Sequence, residues 1–309
     1  MDFKGKDILT LEHYSREEFD FILDTAERFE EIAAGSTKSK ILEGRILATL
    51  FYEPSTRTKN SHEAAMLRLG GGVIGFDDVA STSVAKGESF EDTVKTFGLY
   101  SDVIVVRHPE NGSAKRAAEV TDVPVINGGD GSNQHPTQGL LDLYTIRKEK
   151  GRIDGLKVAL VGDVKHTRSF HSVIYALSRY DVKISFVAPS QLQLPKSIEK
   201  DLEARQVNYE KVSQLTDVIV KSDVVYISRL QEERFPRKED AVKFRGAYTL
   251  DLGMLRDAKD DMIIMHHLPR LWEIPKEIDD LPHARYFQQE YNGLIVRCGL
   301  LSLVLGVAN

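Results

Sequence analysis

Cysteine, tryptophan and long apolar runs are scarce in this chain of 309 residues, which has one cysteine and one tryptophan. A single cysteine excludes an internal disulfide framework and a metal cluster built on cysteines. No apolar run is long enough to span a membrane, and the N-terminus starts with charged residues instead of the apolar core of a secretion signal. We therefore expect a cytoplasmic protein that does not insert into a membrane.

Positive charge is also in the minority, because 41 lysines and arginines stand against 47 aspartates and glutamates, a formal net charge of −6. This balance argues against general nucleic-acid binding. The hydrophobic fraction of 41% and the charged fraction of 28% are ordinary for a soluble globular protein, and the length suffices for two α/β domains.

Several motifs that carry common chemistries are missing. The predicted strand at 156–163 contains Gly162 alone, without a G-x-G-x-x-G pattern, so a dinucleotide cofactor is not expected. No serine lies on a G-x-S-x-G turn. His266 and His267 are adjacent and would point in opposite directions on an extended backbone, which is poor geometry for a shared metal ion. The sequence therefore predicts no cofactor, no metal ion and no covalent nucleophile.

The strongest positive signal is the run Ser55-Thr56-Arg57-Thr58. It lies between a buried-strand pattern (45–50) and a helical pattern (59–69), where free backbone N–H groups and the positive end of a helix dipole are available. Helix capping by Ser55 would explain one hydroxyl, but not three hydroxyls and an arginine in four residues. The turn is therefore predicted to bind a phosphate group.

Strand and helix patterns alternate through both halves of the chain. This predicts two doubly wound parallel-sheet domains with the active site in the cleft between them. A first helix is expected over 15–34, and a strand at 123–126 precedes a polar stretch at 127–139. The last helix, at about 287–305, should pack on the first domain through an apolar stripe that includes Cys298. The stripe consists of Tyr291, Leu294, Ile295, Cys298, Leu301 and Leu305.

Basic and amide side chains follow several of the predicted strands, at the edge where parallel sheets bind ligands. They are Arg107, His135 with Gln138, Arg168 and Arg229. Lys86 lies on the polar loop 81–89, for which a solvated surface loop is the alternative interpretation, and His135 could also be a helix-end cap.

An acidic protein must build a cationic cleft locally, and such a cleft would attract anionic substrates. Two arginines in the second half could each hold a carboxylate through two hydrogen bonds. The residues alone therefore predict transfer of a group from an activated phosphate to a dicarboxylate, by positioning and charge stabilisation.

Three motifs, in this order along the chain, resemble those of the aspartate and ornithine carbamoyltransferases. They are Ser55-Thr56-Arg57-Thr58, His135-Pro136-Thr137-Gln138 and His-x-Leu-Pro-Arg at 266–270. The loop Ser83 to Glu88, with Lys86 and Gly87, and the run Arg229-Leu230-Gln231 are similar to the aspartate branch of the family. The resemblance covers nearly the whole chain.

The resemblance implies transfer of a carbamoyl group from carbamoyl phosphate to L-aspartate, an early step of de novo pyrimidine biosynthesis, without a cofactor. It implies a carbamoyl-phosphate-binding domain of residues 1–136 plus 292–309 and an aspartate-binding domain of residues 137–291. The implied catalytic residues are Arg57, Thr58, Lys86, Arg107 and His135. The implied carbamoyl-phosphate contacts are Ser55, Thr56, Arg57, Thr58, Ser83, Arg107, His135, Gln138 and the main chain near His267 and Leu268.

The aspartate site implied by the resemblance consists of Lys86, Arg168, Arg229 and Gln231. Arg168 would bind the α-carboxylate, and Arg229 with Gln231 would bind the β-carboxylate. The family further implies a homotrimer in which Ser83 and Lys86 enter the neighbouring chain's site, and it leaves separate regulatory chains open. Glu53, Arg168 and Arg234 would link the domains in a closed state.

The sequence departs from the family pattern at four positions. His62 stands where an aromatic residue is usual, and Thr167 stands where glycine is usual. His267 stands where this branch usually has proline, and Trp272 stands where an acidic residue is common. His267 bears most directly on the site, because the implied substrate contact uses the main chain there.

Two alternatives stay open, namely the ornithine branch of the family and a non-catalytic relative that only binds carbamoyl phosphate. The ornithine branch usually carries cysteine where His267 stands, and Lys86 and Gln231 argue against ornithine, which brings a cation and a single carboxylate. A non-catalytic relative that only binds carbamoyl phosphate would have no use for the complete set of cleft charges, which are costly to hold.

Overall fold

The computed structural model describes residues 1–235, 237–246 and 248–308. The chain divides into a first unit of Met1–Leu141 with Tyr291–Asn309 and a second unit of Asp142–Glu290. Asn309, the last residue of the predicted segment 292–309, lies outside the described residues.

Each unit is built on one parallel β-sheet, as predicted. The strands are β1 (Ile46–Phe51), β2 (Gly72–Phe76), β3 (Val103–His108), β4 (Val125–Asp130), β5 (Lys157–Val161), β6 (Lys183–Val187), β7 (Asn208–Val212), β8 (Val224–Ile227) and β9 (Ile263–Met265). The strand order is β2-β1-β3-β4 in the first sheet and β7-β6-β5-β8-β9 in the second. In both sheets the chain runs outward from an inner strand in two directions, which is the doubly wound arrangement.

Helices connect the strands. They are α1 (Arg16–Glu27), α2 (Glu30–Ala34), α3 (Thr56–Arg68), α4 (Phe90–Gly98), α5 (Ser113–Ala118), α6 (Pro136–Lys150), α7 (Arg168–Leu177), α8 (Lys196–Ala204), α9 (Thr216–Ile219), α10 (Lys238–Val242) and α11 (Tyr286–Val304). Among the residues described above, no helix is both long enough and apolar enough to cross a membrane.

The predicted first helix at 15–34 is wrong as a single element, because the structure divides it into α1 and α2. The N-terminus of α1 is a capping box, in which Ser15 accepts from the Glu18 N–H and Glu18 accepts from the Ser15 N–H. The chain leaves the helical path at Arg28 and Phe29, and the Phe29 ring is buried.

The prediction of a short strand at 123–126 followed by a polar loop is also wrong, because β4 continues to Asp130. The polar residues are buried in the sheet, and the amide of Asn127 donates to the Asp130 carboxylate at 2.9 Å and to the Leu9 carbonyl at 3.0 Å. A Cβ on Gly128 would lie 3.2 Å from both Val105 Cγ1 and the Val106 carbonyl oxygen. The glycine therefore permits close strand packing.

In the second unit, the solitary Gly162 has a structural explanation. Its φ of +113° is unfavourable for other residues, and a Cβ there would overlap with the carbonyl oxygen of Ser228. β7 was not predicted from the sequence, because its residues are largely polar and half exposed.

The last helix, α11, does not have the single apolar stripe that was predicted. From 292 to 304 it is buried on almost every side, whereas the predicted stripe residue Tyr291 is 40% exposed. Cys298 is a core residue, as predicted, and burial raises the pKa of its thiol to about 12. The segment from Tyr291 onward belongs to the first unit.

Candidate active site

The turn between β1 and α3 gathers polar groups around the start of a helix. Ser55 is the N-cap of α3, and its hydroxyl accepts from the Thr58 N–H at 3.2 Å. Thr56 is exposed and Arg57 is half-buried on the first turn, whereas Thr58 is buried. Ser55 therefore does act as a helix cap, and the remaining groups of the turn are additional to that role.

Arg107, near the end of β3, reaches the same turn. Its Nη1 donates to the Ser55 hydroxyl at 2.9 Å and lies 3.5 Å from Thr58 Oγ1. Glu53 accompanies it, with 3.5 Å between Arg107 Nε and Glu53 Oε2. The adjacent ends of β1 and β3 thus place a guanidinium beside the free N–H groups of α3.

His135 joins this cluster from the start of α6. Its Nε2 lies 3.1 Å from Thr58 Oγ1, and its Nδ1 lies 3.4 Å from Thr137 Oγ1. Gln138 is in the first turn of α6, where its N–H donates to the His135 carbonyl at 2.9 Å. His135 is therefore more than a helix-end cap, since its ring contacts the predicted phosphate turn.

His62, on α3 itself, contacts the backbone of the turn. Its Nδ1 lies 2.7 Å from the Thr58 carbonyl oxygen, and the side chain is completely buried. Burial, and secondly the nearby charge of Arg297, lower the pKa of His62 well below its usual value. A neutral ring can donate from Nδ1 to the Thr58 carbonyl, which holds the first turn of α3 in place.

Ser83 and Lys86 lie on the segment between β2 and α4. They are exposed on a short 3-10 helix, Ser83–Lys86, followed by Gly87 in the left-handed conformation. Within the described ranges, the Lys86 ammonium has no hydrogen bond or ion pair.

In the second unit, Arg168 is the first residue of α7, directly after the N-cap residue Thr167. Thr167 is buried, and its hydroxyl donates to Ser228 Oγ at 3.4 Å. This contact connects the start of α7 to the residue after β8, next to Arg229. Threonine at 167 is therefore accommodated by a specific partner.

Arg229 forms a two-pronged ion pair with Glu233, in which Nη1 donates to Oε2 at 3.0 Å and Nη2 donates to Oε1. Burial disfavours the charged forms of both side chains, but the hydrogen bonds between them outweigh the effect of burial. The pKa of Arg229 is therefore raised and the pKa of Glu233 is lowered. Glu233 thus occupies the carboxylate-binding fork of Arg229 in this structure. The pair lines an open pocket with Arg245 and Trp272.

Gln231 and Arg234 follow Arg229 on the same segment. The Gln231 N–H donates to Asp163 Oδ2 at 3.1 Å, and the same carboxylate accepts from the His166 N–H at 3.1 Å. Arg234 ends a short 3-10 helix, Glu232–Arg234. Asp163, which the sequence analysis did not single out, therefore positions this predicted substrate segment.

The expectation that His266 and His267 point in opposite directions is wrong, because their rings stack with centroids 5.3 Å apart. The next residue, Leu268, has a φ of +46°. His266 Nδ1 accepts from the Leu268 N–H at 2.8 Å, and its Nε2 lies 2.8 Å from Glu273 Oε1. Among the described residues, no three His, Cys, Asp or Glu side chains form a group that could hold a metal ion.

Glu273 stays ionised in its buried position. Burial favours its protonated form, but the hydrogen bonds from His266 and from backbone N–H groups outweigh this effect and lower the pKa of the carboxyl group. The ionised carboxylate also accepts from the Leu271 N–H at 3.1 Å. Glu273 therefore fixes both ends of the predicted substrate-binding turn.

Sequence reasoning missed Glu273, Thr137 and the buried Arg297. Arg297 was detectable in principle, because it is the lone charge of the largely apolar run 293–304. Its contact with Thr137 joins residues 160 positions apart, which no local pattern reveals.

Two family models together match almost the whole chain. Residues 6–148 match the carbamoyl-P binding domain of aspartate/ornithine carbamoyltransferase, and residues 154–304 match the Asp/Orn binding domain of the same family.

Relatives of known name share about half of the sequence. The aspartate carbamoyltransferase catalytic subunit of Thermococcus kodakarensis is 51% identical over 307 residues, covering 99% of both chains. The subunit of the same name from Methanocaldococcus jannaschii is 48% identical over 301 residues, covering 97% of this chain and 98% of that one.

Solved structures are similar as well. Aspartate transcarbamoylase from Trypanosoma cruzi in complex with carbamoyl phosphate and aspartate has a TM-score of 0.92 and 38% identity, covering 98% of both chains. The catalytic subunit of the M. jannaschii aspartate transcarbamoylase has a TM-score of 0.88 and 48% identity, covering 96% of this chain and 97% of that one.

Proposed function

The chain belongs to the aspartate and ornithine carbamoyltransferase family, and from this premise we propose that it transfers the carbamoyl group of carbamoyl phosphate to the amino group of L-aspartate. The products are N-carbamoyl-L-aspartate and phosphate, in an early step of de novo pyrimidine biosynthesis. The substrates are divided between a carbamoyl-phosphate domain (1–136 plus 292–309) and an aspartate domain (137–291).

One observation carries the proposal: Ser55, Thr58, Arg107 and His135 meet within hydrogen-bond distance at the start of α3. This cluster supplies one guanidinium, two hydroxyls, a ring nitrogen and a helix N-terminus. Such a set suits a phosphate dianion and a carbonyl group next to it. Thr56 and Arg57 lie on the same first turn and add two more donors.

Each group has a distinct role in this proposal. Ser55, Thr56, Arg57, Thr58 and Arg107 bind the phosphate of carbamoyl phosphate. Thr58, Arg107 and His135 also polarise the carbonyl oxygen and stabilise the negative charge that develops on it. Gln138 and the main-chain carbonyls near His267 and Leu268 hold the carbamoyl amine.

The aspartate carboxylates bind to arginines of the second unit. Arg168 takes the α-carboxylate, and Arg229 with Gln231 takes the β-carboxylate. Arg229 already binds the Glu233 carboxylate through both prongs of its guanidinium, so the substrate would exchange with a group of the same chemistry. Glu53, Arg168 and Arg234 link the domains in the closed state.

The chemical step needs positioning more than protein nucleophiles. The neutral amine of aspartate attacks the carbonyl carbon, and a tetrahedral intermediate forms with its negative charge on the former carbonyl oxygen. The C–O bond to the phosphate then breaks, and phosphate leaves carrying a proton from the amine. Arg57 and Arg107 stabilise the charge on the departing group.

We further propose a cytoplasmic homotrimer with shared active sites, in which Ser83 contacts carbamoyl phosphate and Lys86 contacts aspartate in the neighbouring chain. The exposure of Lys86, and its lack of a partner within the described ranges, support this assignment.

A paired assay tests the proposed reaction. Carbamoyl phosphate is supplied with either aspartate or ornithine, with and without a chelator, and both phosphate and the carbamoylated product are measured. We expect turnover with aspartate that the chelator does not change. A preference for ornithine, or binding of carbamoyl phosphate without turnover, would refute the proposal and favour one of the two alternatives.

A further inference from the structure

A continuous line of buried polar side chains leads from α11 to the phosphate turn. Arg297 Nη2 donates to Thr137 Oγ1 at 3.4 Å, Thr137 Oγ1 lies 3.4 Å from His135 Nδ1, and His135 Nε2 lies 3.1 Å from Thr58 Oγ1. The exposed fractions of these four side chains, in the order given, are 2%, 0%, 5% and 4%. Groups this deeply buried must satisfy one another, so the direction of each hydrogen bond matters.

Arg297 sets the direction at one end of the line. A guanidinium donates hydrogen bonds and cannot accept them, so Thr137 Oγ1 is an acceptor toward Arg297. The hydroxyl hydrogen of Thr137 must then go elsewhere, and within the described ranges His135 Nδ1 is its one acceptor. His135 Nδ1 therefore accepts, and a neutral ring carries its single hydrogen on Nε2.

Thr58 lies at the other end of the line. The Nε2 hydrogen of His135 is donated to Thr58 Oγ1, which also receives Arg107 Nη1 at 3.5 Å. The hydroxyl hydrogen of Thr58 is then left for an acceptor from outside the described chain. The hydrogen of the Thr58 hydroxyl is thus available to a ligand oxygen, because His135 Nε2 donates to Thr58 Oγ1 instead of accepting from it.

The opposite tautomer would reverse this outcome. With its hydrogen on Nδ1, His135 would present a lone pair at Nε2, which would consume the Thr58 hydroxyl hydrogen and repel a substrate oxygen. The tautomer of His135 therefore decides whether this side of the turn attracts or repels a developing negative charge.

We propose that Thr137, oriented by Arg297, is a positioning residue that fixes His135 as the Nε2–H tautomer, so that the Thr58 hydroxyl keeps its hydrogen for carbamoyl phosphate. This inference rests on the proposed function for the identity of the ligand. The tautomer itself is a property of the ligand-free protein.

Three substitutions at one position separate the effect of the hydroxyl from that of packing. Thr137→Ser keeps the hydroxyl. Thr137→Val keeps the shape but removes the donor, so the two tautomers compete. Thr137→Asp has nearly the same size, can pair with Arg297, and accepts a hydrogen bond from Nδ1 without donating one, so it should reverse the tautomer. An aspartate is also favourable in the first turn of α6.

The readout is the ring-nitrogen NMR spectrum of the intact ligand-free protein with ¹⁵N-labelled histidine, in which His135 is identified by comparison with His135→Asn. We expect the Nε2–H form in the wild type and in Thr137→Ser, a detectable Nδ1–H form in Thr137→Val, and a predominant Nδ1–H form in Thr137→Asp.

Turnover with both substrates saturating should follow the same order. Thr137→Ser should stay close to the wild type, and Thr137→Asp should lose about 100-fold in kcat or more, the loss typical of one missing oxyanion donor. The KM for aspartate should change little, because Arg168 and Arg229 are untouched.

Three results would overturn the proposal: an Nδ1–H or doubly protonated His135 in the wild type, an unchanged tautomer in both Thr137→Val and Thr137→Asp, or equal losses of activity in all three variants. A wild type inactive toward aspartate would instead refute the proposed function, while the tautomer measurement would still stand.

Discussion

His266 Nε2 lies 2.8 Å from Glu273 Oε1, and the two side chains are 0% and 1% exposed. The Leu268 N–H donates to the other ring nitrogen of His266, so the ring hydrogen resides on Nε2 and is donated to the carboxylate. The His266 N–H donates to Gln289 Oε1 at 2.9 Å, and Gln289 in turn donates to Asp142 at 2.7 Å. The backbone that we propose holds the carbamoyl amine is therefore supported by buried side chains and not by a mobile loop.

Glu273→Gln should weaken this support. Glu273 Oε2 has no hydrogen-bond partner among the described residues, so the new amide would bury an unsatisfied N–H group, at a cost of about 1–3 kcal/mol. We expect a lower thermal midpoint and a higher KM for carbamoyl phosphate. Glu277→Gln, at an exposed position in the same segment, is the matched control. Equal effects of the two substitutions would contradict the assigned role.

Arg57→Ala should remove most of the turnover and leave the fold intact. In the proposed reaction Arg57 contacts the departing phosphate, and loss of one such donor typically costs about 3–4 kcal/mol in transition-state stabilisation. Arg57→Lys keeps the positive charge but loses the planar guanidinium, so its kcat should lie between that of the wild type and that of Arg57→Ala. A folded Arg57→Ala variant within a few-fold of the wild type would show that the phosphate assignment is wrong.

Arg229→Ala should raise the aspartate concentration needed for half-maximal rate far more than that of carbamoyl phosphate. Arg229 lies in the second unit, whereas the residues of the phosphate turn lie in the first. Arg245→Ala is the control, because Arg245 lines the same pocket but forms its ion pair with Glu232. Equal effects of Arg229→Ala on both substrates would contradict the division of substrates between the domains.

Mixing two inactive variants tests the sharing of sites between chains. Arg57→Ala chains and Lys86→Ala chains should each assemble into nearly inactive trimers. When they are unfolded and refolded together, some sites in the mixed trimers should combine an intact Arg57 from one chain with an intact Lys86 from another. Activity absent from both parents should then appear.

The controls for this experiment are each variant refolded alone and a native mass measurement of the mixed trimers. If mixed trimers form without gain of activity, Lys86 acts within its own chain. If Lys86→Ala is active from the start, Lys86 is a solvated surface charge. Both results refute the shared site.

His62 should make the folded state sensitive to acid. Because its pKa is lowered in the folded state by burial and by Arg297, the unfolded chain takes up a proton below pH 6.5 that the folded chain does not. The contribution of neutral His62 to the free energy of unfolding is therefore fully present above about pH 6.5. It falls as the pH decreases toward the lowered pKa, by at most about 1.4 kcal/mol per pH unit.

His62→Phe should remove this contribution, which can be measured as the change in urea midpoint between about pH 7.5 and pH 5.5. His13→Gln, at an exposed position, controls for the loss of one histidine. A slope that is as steep in His62→Phe as in the wild type would mean that other groups cause the acid sensitivity.

The alternation of apolar strands and amphipathic helices sufficed to predict two parallel sheets. It failed where local sequence and burial disagree. Asn127 to Asp130 look like a loop, yet they extend β4 because their polar groups satisfy one another inside the sheet. The half-exposed strand β7 carries too few apolar residues to show a strand pattern.

The candidate site was predictable wherever a motif is continuous in sequence, as in Ser55 to Thr58. Its supporting groups were not, because they depend on contacts between distant residues. Arg297 and Thr137, for example, are 160 positions apart. The residue types alone do not reveal that the rings of the adjacent His266 and His267 stack on each other.

The burial of Cys298 makes the native protein a convenient host for chemical labels. It is the single thiol of the sequence, and its raised pKa leaves almost no reactive thiolate at neutral pH. A cysteine introduced at the exposed position of Ala85, on the same 3-10 helix as Lys86, would therefore be the one site to react with a maleimide dye. Fluorescence from that dye could follow the Lys86 segment during turnover in an otherwise unaltered chain.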